Sequence, residues 1–241
     1  MGIVTLKALY APKEGNSDAQ YEDAFAVSSV DSPVFTVALA DGASSAGFAR
    51  DWAERLTKTF VAANGFPDTD DEAAAIIAHL GREWRETAAE KAVSWHAQEK
   101  LENGSAATLL VVTFDTVART WKARAMGDIC IFLIRKEKLR YAFPLTRAAQ
   151  FNDRPTLLST EIGSRVLMPV AIRYEEKYEP GDRFLLMTDA FSQWFLKEFE
   201  SRRRPWNDFP TTQLALASWL KPRRDKGLMK NDDVTLLDLI L

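Results

Sequence analysis

The chain has 241 residues, of which 46% are hydrophobic and 27% charged, a composition typical of a globular protein and not of a disordered or fibrous one. Its 31 basic and 34 acidic residues leave a net charge of −3, without the basic surplus that nucleic acid or anionic membrane binding needs. The single cysteine, Cys130, excludes an internal disulfide, and the two histidines, His79 and His96, are too few and too widely spaced for a Cys/His zinc site.

The start of the sequence lacks the apolar core of a signal peptide, and no apolar run approaches the roughly 18 residues that span a membrane. The lone cysteine gives no sign of an oxidising compartment. We therefore expect a cytoplasmic protein with neither a membrane nor a nucleic-acid partner.

Short apolar runs bounded by polar turns predict strands, and apolar residues at helical spacing predict helices. The predicted strands are residues 24–27, 34–40, 107–114, 120–125, 129–135, 139–143, 183–188 and 234–241. The predicted helices are residues 48–63, 71–101, 191–199 and 211–220. Runs of strands followed by runs of helices favour an α+β fold over strict βαβ alternation. No repeat or long linker divides the chain, which predicts a single domain over residues 1–241.

Several carboxylates stand where an apolar strand begins or ends. They are Glu22 and Asp23 before the first predicted strand, Asp41 after the second, Asp189 after the strand that begins at Arg183, and Asp232 before the last strand. Such acids can simply cap strands and turns. If the fold brings them together, their repulsion requires either protons or a bound cation. Mg²⁺ and Mn²⁺ prefer carboxylate, carbonyl and water ligands, so a site for hard divalent ions is the alternative.

Six short blocks follow one another in the order and at the spacing found in a known family. They are YEDA at 21–24, ADGASS at 40–45, GSAAT at 104–108, AMGD at 125–128, FLLMTDA at 184–190 and NDDVT at 231–235. Together they resemble the metal-dependent protein phosphatases of the 2C type, especially the short bacterial forms. The resemblance covers the chain from about residue 20 to its end.

The resemblance implies two stacked antiparallel β-sheets flanked by helices, in α-β-β-α layers, and a cleft that holds two Mg²⁺ or Mn²⁺ ions. It implies in-line attack on phosphoserine or phosphothreonine by a metal-activated water, without a covalent enzyme intermediate. The partner it implies is a phosphorylated protein substrate.

Carried over position by position, the resemblance makes Asp41 and Asp189 the catalytic carboxylates, both acting as metal ligands. Asp41 would bridge the two ions and the Gly42 carbonyl would bind one of them. Asp189 and Asp232 would hold the other ion. The resemblance also implies that Glu22 and Asp23 are metal ligands, directly or through water. Asp128 matches an acid that helps to bind a third ion in some members.

Four positions depart from the family pattern. Asp18 stands where many members have an arginine that clamps the substrate phosphate, so either another cation, such as Lys13 or Arg147, replaces it or phosphate binding is weak. Ala190 replaces a glycine, which is expected to shift the local backbone if φ there is positive. The two remaining departures are milder: Ala43 in place of a histidine found in some eukaryotic members, and Asp233 in place of asparagine, beside the preferred ligand Asp232.

Residues 146–169 lie where the family has a mobile flap, and Arg147, Arg154 and Arg165 there are ordinary surface residues or phosphate contacts. We expect His79 and His96 to be structural helix residues and Cys130 to be a core residue. The basic clusters at 202–204 and 221–226 are expected to be solvated surface.

Three functions remain open. The first is an active Mg²⁺/Mn²⁺-dependent phosphoprotein phosphatase, favoured because every metal-ligand position is filled. The second, motivated by Asp18 and Ala190, is a phosphatase-like binding or regulatory module with weak or no turnover. The third is a phosphohydrolase that acts on small phosphate esters.

Overall fold

The computed structural model of the protein describes residues 4–44, 46–91, 95–164 and 167–241. Within these residues the chain forms eleven strands: β1 Thr5–Ala11, β2 Ala24–Val27, β3 Val34–Gly42, β4 Ala106–Asp115, β5 Thr120–Met126, β6 Cys130–Arg135, β7 Lys138–Phe143, β8 Leu158–Ser159, β9 Ile172–Lys177, β10 Arg183–Met187 and β11 Val234–Ile240. The α-helices are α1 Ala49–Ala62, α2 Asp70–Lys91, α3 Trp95–Glu102, α4 Asp189–Glu200 and α5 Gln213–Asp225. Short 3₁₀ helices cover Asp18–Gln20, Ala148–Gln150 and Pro205–Asn207.

The chain folds into two compact units. The first comprises the described residues of Met1–Tyr21, Asp128–Pro155 and Tyr178–Leu241, and the second those of Glu22–Gly127 and Thr156–Lys177. Each unit contains one antiparallel sheet with its own helices, which confirms the predicted α+β class. Of the helices within the described ranges, none combines the length and apolar character that crossing a membrane requires.

The first unit is built on a five-stranded sheet in the order β1-β11-β10-β6-β7. Its central strands are apolar on consecutive residues because both of their faces are buried. Phe132 of β6 packs against Phe195 of α4 with ring centroids 4.3 Å apart. Trp194 and Trp219 meet edge to face at 4.9 Å and join α4 to α5. Cys130 lies in this core, fully buried as predicted.

The second unit is built on β2-β3-β4-β5-β9, with β8 paired to the start of β4. Helices α1 and α2 cover one face of this sheet through buried residues at helical spacing, among them Trp52, Phe60 and Trp84. The Trp52 indole donates a hydrogen bond to the Leu158 carbonyl at 2.9 Å. This bond holds β8 against α1.

The predicted strands and helices agree with the structure to within a few residues, with some exceptions. The predicted helix over 71–101 corresponds to α2 and α3, and residues 92–94 lie outside the described part. Strands β1, β8 and β9 were not predicted. β1 and β9 are edge strands with many exposed side chains, so neither carries the apolar run of a buried strand.

We expect Gly81→Ala to destabilise the protein, although alanine normally favours a helix by about 1 kcal/mol. A Cβ atom at Gly81 of α2 would lie 2.3 Å from the Thr160 carbonyl oxygen and 3.1 Å from its carbon. We expect a loss of about 1–3 kcal/mol from this backbone clash, measured by urea unfolding.

Ala75→Gly on the exposed side of the same helix calibrates helix propensity and should cost about 1 kcal/mol. A Gly81→Ala protein that is more stable than wild type would contradict the close packing of α2 on residues 160–161.

Candidate functional site

In the first unit, Asp189 and the 231–233 turn are held next to each other by the ends of β10 and β11. The Thr188 main-chain N–H donates to the Thr235 carbonyl at 3.1 Å, and the Thr235 N–H donates to the Thr188 hydroxyl at 2.9 Å. Asp189 is the first residue of α4, where the helix dipole favours a negative charge. One oxygen of its carboxylate accepts the Ala190 N–H at 2.6 Å.

The remaining oxygen of Asp189 and a carboxylate oxygen of Asp232 converge on the ammonium of Lys230. The Nζ–O distances are 3.2 Å to Asp189 Oδ2 and 2.7 Å to Asp232 Oδ2. Burial alone lowers the pKa of Lys230, but the two carboxylates outweigh it and raise that pKa. The pair of carboxylates therefore already binds a cation, in the form of a side chain of the same chain.

Asp128 is a buried acid beside this pair. Burial first, and then repulsion by Asp189 and Asp232, raises the pKa of Asp128 to about 6. Burial and Asp232 also raise the pKa of Asp189, against the opposing effect of Lys230. Since both shifts disfavour the ionised carboxyl, these acids have an excess of negative charge that an additional cation would relieve.

The neighbouring acids Asp232 and Asp233 have different surroundings. Asp233 is buried, and one of its oxygens accepts the Lys13 main-chain N–H at 2.8 Å, which ties the segment after β1 to this turn. Asp232 faces Lys230, and its carbonyl accepts a 2.6 Å hydrogen bond from Arg224 of α5. Asp233 therefore has a structural contact with the segment after β1, whereas Asp232 faces the ammonium of Lys230.

Lys230 and Arg224 were not predicted as site residues. The solvated surface predicted for residues 221–226 is wrong for Arg224, which is half-buried, and for Arg223, whose guanidinium stacks 3.7 Å over the Trp219 ring. The one signal in the sequence for Lys230 was its place two residues before Asp232, the acid of the NDDVT block.

In the second unit, the acidic pair before β2 lies beside the end of β3. The acidic pair directly precedes Ala24, which pairs with Ala40, the residue before Asp41. Asp23 is 1% exposed. A Cβ atom at Gly42 would lie 2.8 Å from the Glu22 carbonyl oxygen and 2.9 Å from Ala49 Cβ, so glycine is required there. The structure thus places the Glu22 main chain against Gly42 at this end of β3.

The donors suit a hard divalent cation in kind, since Mg²⁺ is commonly held by one or two carboxylates and several waters. Asp189 and Asp232 supply two oxygens that already share one positive charge. Among the described residues, no three His, Cys, Asp or Glu side chains are gathered closely enough to hold a metal ion as they stand.

Ala190 causes no backbone strain. It is the second residue of α4, buried and helical, so the backbone shift expected of alanine at this position does not occur. Asp18 is exposed in the first turn of a 3₁₀ helix. Lys13 and Arg147 were the cations considered as replacements for the arginine. The main-chain N–H of Lys13 donates to Asp233, and Arg147 is exposed at the start of another 3₁₀ helix.

The segment predicted as a flap, residues 146–169, is packed over part of its length. Leu158, Thr160 and Ile162 are each at most 3% exposed, and the Ser105 N–H donates to the Thr160 hydroxyl at 3.0 Å. Arg154 is exposed, and Arg165 lies outside the described residues. His79 is an exposed helix residue 3.4 Å from Glu83, as expected, while the side chain of His96 is not among those described.

A family model described as protein phosphatase 2C matches residues 14–230. The chain therefore belongs to the protein phosphatase 2C family, as its motifs predicted. A comparison with curated protein sequences found no match.

Several solved structures have a similar fold. The serine/threonine phosphatase Stp1 from Staphylococcus aureus aligns with a TM-score of 0.67 and 11% identity over 100% of this chain and 96% of that chain. PppA, a key regulatory component of T6SS in Pseudomonas aeruginosa, aligns with a TM-score of 0.60 and 17% identity over 99% and 98%. RsbX in complex with magnesium aligns with a TM-score of 0.56 and 18% identity over 99% and 96%. At these identities the likeness establishes the shared fold.

We expect Asp128→Asn to stabilise the protein in the presence of a metal chelator at pH 8, by about 1–3 kcal/mol. The pKa of Asp128 is about 6 in the folded protein and 3.8 when unperturbed, so its stabilising contribution is complete below pH 3.8 and is lost as the pH rises through 6. Asparagine has no proton to lose and stays neutral at every pH. The difference in stability between the two proteins should therefore disappear near pH 4, where Asp128 is protonated.

Urea unfolding at both pH values measures the effect. Asp225→Asn, which removes an exposed acid paired with Lys221 in the same unit, is the control and should change stability by less than about 0.5 kcal/mol. Equal stabilities of wild type and Asp128→Asn at pH 8 would contradict the crowding of negative charge around Asp189.

Proposed function

We propose that this protein is a Mg²⁺- or Mn²⁺-dependent phosphatase that hydrolyses phosphoserine or phosphothreonine in a protein substrate. The observation that carries the proposal is the convergence of Asp189 and Asp232 on a single positive charge. Family membership supplies the reaction class. The structure of RsbX in complex with magnesium supports a divalent cation in this fold.

In this proposal the family's metal ligands are the acids of both units. Asp189 and Asp232 of the first unit would hold one ion, and Asp41 and the Gly42 carbonyl of the second unit would be ligands of the other. Glu22 and Asp23 act directly or through water. Asp128 assists Asp189 at a third ion.

The ions would lower the pKa of a bound water and stabilise negative charge on the transferring phosphoryl group. The chain's own contribution is to fix its carboxylates. The first turn of α4 orients Asp189 through the Ala190 N–H, and Arg224 fixes the main chain of Asp232. Lys230 would have to leave the carboxylate pair for a divalent ion to be held there, and its side chain is half-exposed.

We further propose that residues 1–241 act as one catalytic domain and that the protein works in the cytoplasm. The family model spans most of the chain, which supports a single functional domain. The free, buried Cys130 is compatible with a reducing compartment.

A second candidate function is a phosphatase-like binding or regulatory module. Two features favour it. Lys230 already neutralises the carboxylates that would bind metal, and Asp18 replaces the cation that many family members use for phosphate. Metal-dependent turnover separates the two candidates.

The test is hydrolysis of p-nitrophenyl phosphate and of a phosphothreonine peptide with a chelator, with Mg²⁺ or with Mn²⁺. We expect turnover that requires the metal and falls at least about a hundredfold in Asp41→Asn and in Asp189→Asn. Loss of a residue that only orients a metal ligand already lowers activity by about 10–100-fold, and loss of the ligand itself should cost at least as much. A peptide rate well above the aryl phosphate rate would indicate a protein substrate.

Asp225→Asn, which removes an exposed acid from the first unit, should retain full activity. Turnover in the chelator, or turnover that survives both substitutions, would contradict the proposed mechanism. A folded protein that binds Mn²⁺ without hydrolysing either substrate would favour the binding module.

A further inference from the structure

The second unit contains a cavity of about 710 Å³ that the proposed phosphatase site does not use. Strands β3, β4 and β5 line it on one side, and the 64–68 loop between α1 and α2 lines it on the other. Val34 at the start of β3 is part of the lining, and Asp41 lies seven residues further along the same strand. At about 3.3 Å per residue the two are roughly 23 Å apart. The volume is in the range of small-molecule sites.

The loop that forms one wall is firmly attached. Gly65 packs so closely on β4 that an added Cβ would lie 2.9 Å from the Thr113 hydroxyl, and its φ of +139° is one that few other residues adopt. The Phe66 ring packs on Phe60 of α1 at 4.8 Å. Arg173 of β9 donates to the Asp68 carbonyl at 2.8 Å and also pairs with the Asp70 carboxylate. The cavity is therefore preformed.

Arg124 of β5 lines this cavity. It is half-buried, and one of its terminal nitrogens donates to the Ala123 carbonyl at 3.2 Å. Within the described part of the chain, its Nε is shielded from solvent without a hydrogen-bond partner, and the guanidinium has no carboxylate within ion-pair distance. Burial, followed by repulsion from Arg173 on the neighbouring strand, lowers the pKa of Arg124, and the nearby acids Asp68, Glu175 and Asp70 offset this only in part. Arginine nevertheless stays charged, and a bound anion would relieve the cost.

The other charged groups of the lining limit the charge of the ligand. Lys122 is 3.6 Å from Glu175, and the Asp115 carboxylate accepts the main-chain N–H groups of Val117 and Ala118. Asp68 and Glu72 also line the cavity, so it holds four acids and two bases. This surplus of negative charge disfavours a dianion such as a phosphate monoester. Phe66, Pro67 and Val111 add an apolar surface.

We propose that this cavity binds an organic monoanion whose charged group pairs with Arg124 and whose apolar body lies against Phe66, Pro67 and Val111. The binding site is separate from the proposed metal centre. It requires neither a divalent ion nor phosphatase activity, so it can be tested independently of the proposed function.

The test compares two fluorescent probes of similar shape, the anionic 1-anilinonaphthalene-8-sulfonate and the neutral N-phenyl-1-naphthylamine. We expect one equivalent of the anionic probe to bind the folded wild-type protein more tightly than the neutral probe. Arg124→Gln should weaken the anionic probe at least about tenfold and change the affinity of the neutral probe less than about twofold, as expected for loss of a single half-buried charge pair.

Lys122→Gln is the matched control, since Lys122 is a cation of the same strand that lines the same cavity. Its side chain is exposed and already paired with Glu175. It should change the affinity of the anionic probe less than about threefold. Near-UV circular dichroism of each protein verifies that the probe reports on a folded state.

Three results would overturn the proposal: no stoichiometric binding of the anionic probe, equal affinities in wild type and Arg124→Gln, or equal losses in Arg124→Gln and Lys122→Gln. The last result would indicate a diffuse potential instead of a site at Arg124. If Arg124→Gln does not fold, the test is the comparison of the two probes on the wild-type protein alone. A preference for the anionic probe supports the proposal, and no preference overturns it.

Discussion

The attraction between one ammonium and two carboxylates is the interaction on which the candidate site of the first unit depends. Hydrogen bonds between Thr188 and Thr235 prevent the ends of β10 and β11 from separating, so the acids that follow and precede these strands must stay close together. Burial and mutual repulsion then raise the pKa values of Asp128 and Asp189. Lys230 offsets the repulsion from within the chain. Such a cluster reduces stability, which is typical of a site whose function requires a bound cation.

Much of the fold could be predicted from the sequence because buried strands leave an unambiguous pattern. The apolar runs at 34–40 and 183–188 became β3 and β10, which lie inside their sheets. β9 was missed for the opposite reason: with Glu175 and Lys177 exposed on a sheet edge, its sequence is that of a polar surface segment. Whether a polar segment adds to a sheet edge depends on the partner strand, which local sequence does not specify.

The proximity of Asp189 and Asp232 was predictable because each adjoins an apolar strand within a family motif. Their neighbours were not. Arg224 had the sequence context of a solvated basic cluster, and its hydrogen bond to the Asp232 carbonyl depends on how α5 and the following turn return to β11. Arg124 likewise alternates with apolar residues as an exposed strand residue does, and it lines a cavity because the 64–68 loop lies opposite. In both cases tertiary placement, and not residue type, determines the role.

The most direct test of the cation site is the binding of Mn²⁺ to the purified protein, followed by electron paramagnetic resonance of the free ion. The account predicts that Asp232→Asn weakens binding at least about tenfold, while Asp233→Asn, which removes a charge one residue away, keeps an affinity within about threefold of wild type. It also predicts that Lys230→Met, which removes the competing ammonium, binds Mn²⁺ more tightly than wild type. Equal Mn²⁺ affinities in all four proteins, or loss of binding in Asp233→Asn with Asp232→Asn unaffected, would contradict it.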